Sequence, residues 1–125
     1  MISSSVYHRM TRSEKEVADL LKKLGIQWSY EQPVFVWDEN KRPRVWTPDF
    51  YLKHFAVYVE VCGSRDFDYG YRRRIFNENG YSVIFVHVYK EKEKWRQHLL
   101  KFLSLFIKER NRRFVELVSR GYSNV

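Results

Sequence analysis

Apolar side chains recur three and four residues apart in the run SEKEVADLLKKLG, where Val17, Leu20, Leu21 and Leu24 share one side. That spacing predicts an amphipathic helix packed on a core. Thr11 or Ser13 can cap its start, acidic residues fill its first turn, and Gly25 closes it. Glu16 lies on the row through Leu20 and Leu24 and so points toward whatever the helix covers. Glu14 is offset from that row and is expected in solvent. The period then changes. IQWSYEQPVFVW is rich in aromatic and β-branched residues and predicts a first strand, with Pro33 marking an edge or bulge. After the polar turn DENKRPR, VWTPDFYL and FAVYVEVC predict strands two and three, joined near Lys53 and His54 into an antiparallel meander. In the third strand Val57, Val59 and Val61 face one way, and Tyr58, Glu60 and Cys62 the other.

Gly63 ends that strand. SRDFDYGYRRRIFNENG predicts a helix, imperfect at Gly70 and closed by Asn79-Gly80. YSVIFVHVY is apolar on both faces, as an inner strand should be, and the long crossover makes it parallel to the third strand. The last segment carries Trp95, Leu99, Phe102, Leu103 and Phe106 at helical spacing, with a break expected near Asn111. The order helix, meander, helix, strand, helix predicts a small α/β sandwich with a mixed sheet and helices on both faces.

Composition narrows the function classes. With 125 residues, 44% hydrophobic and 18% aromatic, a single domain over residues 1–125 with a real core is expected, not a disordered chain. One cysteine excludes an internal disulfide and fits a reducing, intracellular and cytoplasmic setting; no apolar run of signal-peptide type or membrane-spanning length occurs. The net charge of +8 favours a polyanionic partner, most often nucleic acid. Residues 90–120 hold ten Lys/Arg against four Asp/Glu, so most of the excess is in the last helical segment. A basic helical face also serves plain solubility, and its apolar stripe has the look of core, so no membrane partner is expected.

Two carboxylates on neighbouring strands, Asp49 and Glu60, raise the question of a site, because a buried carboxylate is costly unless paired or bound to metal. Oxygen ligands of this kind suit Mg²⁺ or Mn²⁺. Taken singly each residue has an ordinary explanation. Pro-Asp often starts a turn, Glu60 fits the wet side of a one-sided sheet, and acidic residues are common in a first helical turn. His87 is expected as a satisfied core histidine, and His8, His54, His87 and His98 show no ligand spacing with Cys62.

Jointly, PDF at 48–50, the eleven-residue interval to Glu60, VEVCG at 59–63 and SEKEVADLLKKLGI resemble the PD-(D/E)xK nuclease superfamily over residues 11–89. The resemblance implies a restriction-endonuclease-like three-layer sandwich with a mixed central sheet of about four strands flanked by helices. Restriction enzymes, Holliday-junction resolvases and very-short-patch-repair-type endonucleases share that core. It also implies a metal-dependent endonuclease acting on DNA, with RNA not excluded. Asp49, Glu60 and the Val61 carbonyl would hold Mg²⁺ or Mn²⁺, with Glu16 assisting. The pattern departs at Cys62, where the family has a lysine that orients the attacking water. Arg72, Arg73 and Arg74 are the nearest substitutes, with Arg65 and Lys53 behind them; Arg65, Arg72, Arg73 and Arg74 would also grip phosphates. The alternative is a nuclease fold that lost catalysis and binds DNA or RNA by charge. Apolar surface on the last helix makes a homodimer an expectation.

Overall fold

The computed structural model describes residues 2–123, and the side chains of residues 6–121. Its elements are α1 (Ile2–Arg9), α2 (Arg12–Lys23), β1 (Ser29–Tyr30), β2 (Val34–Trp37), β3 (Pro43–Trp46), β4 (Phe50–Leu52), β5 (Val57–Cys62), α3 (Gly70–Glu78), β6 (Val83–His87) and α4 (Lys92–Ser123). Helix α1 was not legible in the apolar pattern; it adds Val6 and Tyr7 to the edge of the core. Thr11 caps α2 through a reciprocal pair, its hydroxyl accepting the Glu14 N–H while the Glu14 carboxylate accepts the Thr11 N–H.

Four strands form a mixed sheet in the order β1-β4-β5-β6, antiparallel except for the parallel β5–β6 pair. The expected meander is broken at Pro33 and at Pro48. Pro33, following Glu31 at φ 53°, divides the first predicted strand into β1 and β2. Pro48 divides the second into β3 and β4. A proline has no N–H for a ladder, so each run stops there and the chain turns. The freed halves β2 and β3 pair with each other as a separate two-stranded ribbon.

Alternation along β5 sets the layers. Val57 and Val59 join Val17, Ala18, Leu21, Ile84, Val86, Trp95, Leu99 and Leu103 in the larger core, beneath α2 and α4. Cys62 faces the opposite layer with Val34, Val36, Ile75, Phe76 and Phe85, beneath α3 and the ribbon. A helix pair, the sheet, then α3 with the ribbon make a three-layer α/β sandwich. Truncating a fully enclosed side chain such as Leu99 to alanine costs about 2–5 kcal/mol.

Two helix boundaries differ from expectation. α3 starts only at Gly70, because residues 64–69 are held as a loop by short-range bonds such as Asp66 N–H to Ser64 Oγ and Gly70 N–H to Asp68 Oδ1. α4 passes Asn111 without a break, carried by Arg112 ion pairs to Glu109 and Glu116, one turn away on either side.

Candidate active site

Asp49 immediately precedes β4 and Glu60 lies in β5, one step beyond the Phe50–Val59 pair, so the hairpin brings them side by side. The Asp49 Oδ2 accepts the Val61 N–H at 2.7 Å, tying the first carboxylate to the strand that carries the second. Both border an open cleft of about 590 Å³, walled by Trp46, Thr47, Val61, Ser64, Phe67, Tyr69 and Arg72. Burial and the neighbouring Glu60 push the Asp49 carboxyl up to about 8. Burial also raises Glu60, with Arg72 opposing. Two carboxylates that resist ionising together are a state that an added cation relieves.

Arg72 is that side chain's own counter-ion. Its Nε donates to Glu60 Oε2 at 2.8 Å, and its guanidinium lies 4.5 Å from the Trp46 ring centroid and 5.3 Å from that of Phe76. α3 therefore delivers a fixed positive charge to the cleft wall, held in place by stacking and by the ion pair. The other basic candidates go elsewhere. Arg73 lies over Phe85, Arg74 over Tyr71 and within 4.0 Å of Glu78, and Arg65 lies by Tyr89; none lines the cleft. Lys53 sits in a different hollow beside Gln27 and Tyr51.

Position 62 does not compensate from within. Cys62 is fully enclosed in the apolar layer, and burial, then Glu60 and Asp49, push its thiol up to about 12. It stays a neutral packing group. His87 accepts or donates to the Tyr89 hydroxyl at 2.9 Å and lines a small hollow with His98, Lys90 and Lys94; burial lowers it.

The acidic residue of α2 that reaches the site is Glu14, not Glu16. Glu14 is only 8% exposed, whereas Glu16 is half-buried. The residues that α2 buries are Glu14, Val17, Ala18, Leu20 and Leu21, whereas Leu24, at the end of the row through Glu16 and Leu20, is 42% exposed. Glu14 Oε1 accepts the Tyr30 hydroxyl at 3.0 Å, and Glu14 adds to the influences that raise the Asp49 carboxyl. Tyr30 is raised by burial and by its acidic neighbours. The capping-box spacing Thr11-x-x-Glu14 and the small Ala18 one turn later were the signals that mark this phase.

Among the described residues, no three His, Cys, Asp or Glu side chains are grouped to hold a metal ion. Asp49 and Glu60 nonetheless fit Mg²⁺, which needs only one or two protein carboxylates and takes its other oxygens from water and phosphate. The cleft is open enough for both.

Among the described residues, no helix is long and apolar enough to cross a membrane. No protein-family model matches the sequence, and no curated protein does. Among solved structures, the 5-hydroxymethylcytosine-specific restriction enzyme AbaSI is similar with a TM-score of 0.52 and 16% sequence identity. The match covers 88% of this chain and 46% of that one, so this chain spans about half the length of the enzyme it resembles. Four mixed strands between helical layers, with that neighbour, make this a restriction-endonuclease-like fold.

Proposed function

We propose that the protein is a metal-dependent endonuclease that hydrolyses DNA phosphodiester bonds in the Asp49–Glu60 cleft. The observation that carries the reading is Arg72, bonded to Glu60 at 2.8 Å and facing the cleft where the sequence lacks its lysine. Asp49 and Glu60, with the Val61 carbonyl, would hold Mg²⁺ or Mn²⁺, which when bound polarises a phosphate and acidifies a water. Arg72 places a permanent positive charge beside the incoming phosphate and screens the carboxylates from it. Glu14, held by the Tyr30 hydroxyl, adds negative charge near Asp49 and so favours a cation there. Arg65, Arg73, Arg74 and the basic residues of α4 add sequence-independent attraction for the phosphate backbone. A homodimer through the exposed apolar residues of α4 would supply two clefts for two strands.

A second reading has one observation in its favour: Cys62 is enclosed and neutral, so position 62 supplies no cation to the cleft. The fold would then bind DNA or RNA without cutting. Supercoiled-plasmid nicking in Mg²⁺ or Mn²⁺ separates the two. Cleavage by wild type, lost with EDTA and in Asp49→Ala and Arg72→Ala, supports the enzyme. Salt-sensitive binding with no nicking by wild type in either metal overturns it.

A further inference from the structure

The β2–β3 ribbon leaves large apolar groups in water on one side only. Its register pairs Val34 with Trp46, Phe35 with Val45, Val36 with Arg44 and Trp37 with Pro43. Paired residues share a face, so Val34 and Val36 turn inward while Phe35, Trp37, Pro43 and Val45 turn out. Phe35 is 59% exposed, Trp37 55% and Val45 61%, and the two aromatic rings lie 6.4 Å apart. Contiguous apolar exposure of this kind marks a binding surface.

This face is held rigid. An isolated two-stranded ribbon is marginal in water, yet here its outer edge is tied down. The Asn79 side chain accepts the Trp37 N–H at 2.8 Å and donates to the Trp37 carbonyl at 3.0 Å. The Tyr81 hydroxyl donates to the Phe35 carbonyl at 2.9 Å. Asp38 closes the turn by accepting from the Asn40 and Arg42 N–H groups and from Arg44 Nε. Because those backbone groups along β2 are satisfied, that edge offers little to an added strand. What remains for a partner is the side-chain face.

The face also runs into the cleft. Val45 lines the cleft, Phe35 stands opposite Val45, and Trp37 lies two residues further along, roughly 7 Å away. Exposed Lys41 and Arg42 stand at its tip, where the one exposed acid, Glu39, accepts the Tyr71 hydroxyl. Aromatic faces flanked by positive charge, next to a site built for phosphate, match the surfaces on which single-stranded bases stack. Bases inside a continuous duplex present no free face to such a platform.

We propose that the outward face of the β2–β3 ribbon is a stacking platform for unpaired bases, with Phe35 and Trp37 as its anchors. The substrate class is then DNA interrupted by a single-stranded or unstacked element, cut close to that element. The identification of the strand as DNA rests on the function proposed above; the platform does not depend on catalysis. The test measures binding of three 2-aminopurine-labelled DNAs without divalent metal and with EDTA: a single strand, a duplex with a two-base bulge, and a continuous duplex.

Wild type is expected to favour the bulged and single-stranded probes by about tenfold or more, with 2-aminopurine quenched on binding. Phe35→Ala/Trp37→Ala should erase that preference while keeping duplex affinity and its salt slope, and Trp37→Phe should retain most of it. Both variants lie on an exposed face, and circular dichroism melting checks that they fold. Equal wild-type affinity for all three probes overturns the platform, as does a preference surviving in the double variant. Concentration-dependent self-association lost in the double variant would assign the face to a second copy and also overturn it. A preference that holds in a protein unable to nick plasmid supports the platform and sinks only the catalytic reading.

Discussion

Replacing Asp49 by asparagine removes a charge that the fold opposes. The carboxyl is raised from 3.8 to about 8 by burial first and by Glu60 second. Its folded form therefore binds a proton more tightly than its unfolded form across that whole interval. Stability tied to this group is fully present below about pH 4 and is lost as pH rises through about 8. At about 1.4 kcal/mol per pH unit the ceiling is roughly 6 kcal/mol, and water entering an open cleft screens most of it. We expect about 2 kcal/mol between pH 5 and pH 8.5, or a melting-temperature difference of roughly 6–10 °C in a domain of this size. The amide has no proton to lose in this range, so Asp49→Asn should be nearly level with wild type at pH 5 and more stable at pH 8.5. The assay is guanidinium unfolding of both proteins across that range without divalent metal. Repulsion from the net charge acts on both almost equally and drops out of the difference. Parallel stability curves would refute the claim that Asp49 is held against ionisation.

Other consequences concern the groups around it. Arg72→Ala leaves Glu60 buried without its partner and should cost about 2–3 kcal/mol in guanidinium unfolding, with nicking abolished. Arg72→Lys should recover part of both, since a lysine keeps the charge but not the planar contact with Trp46. Restoring the expected residue with Cys62→Lys should destabilise by several kcal/mol and add no cleavage, because position 62 is enclosed in the apolar layer; Cys62→Ala should cost about 1 kcal/mol and leave nicking unchanged. Glu14→Gln should lower both melting temperature and nicking rate, whereas Glu16→Gln should lie within experimental error of wild type on both counts.

The sequence was most legible where one period governed a whole element. Alternation in β5 correctly separated Val57 and Val59 from Glu60 and Cys62, and with it the pairing of Asp49 and Glu60 across neighbouring strands. It was least legible where two interactions competed. In α2 the apolar residues allow two phases, and Leu24, adjoining the Gly25 stop, weighed toward the wrong one. The cap supplied by Glu14 was the deciding term, and propensity alone does not contain it. Pro33 reads as an edge or bulge and Pro48 as part of a Pro-Asp turn signal, but neither reads as a point where the chain leaves the sheet, because only the partner strand shows whether a ladder resumes. Arg72, Arg73 and Arg74 are indistinguishable in sequence. Trp46, contributed by the ribbon, is what selects Arg72.

α4 is continuous in geometry, about 48 Å from its 32 residues. Its first half is clamped by Trp95, Leu99 and Leu103, while every described side chain from 111 to 121 is exposed. A stretch that short, supported mainly by its own ion pairs, sits near the helix–coil midpoint. Opening it breaks no core contact, so amide hydrogens beyond Asn111 should exchange with solvent orders of magnitude faster than those before Leu103. One helix by its coordinates is then two by its thermodynamics. The boundary falls close to the asparagine that interrupts the apolar spacing.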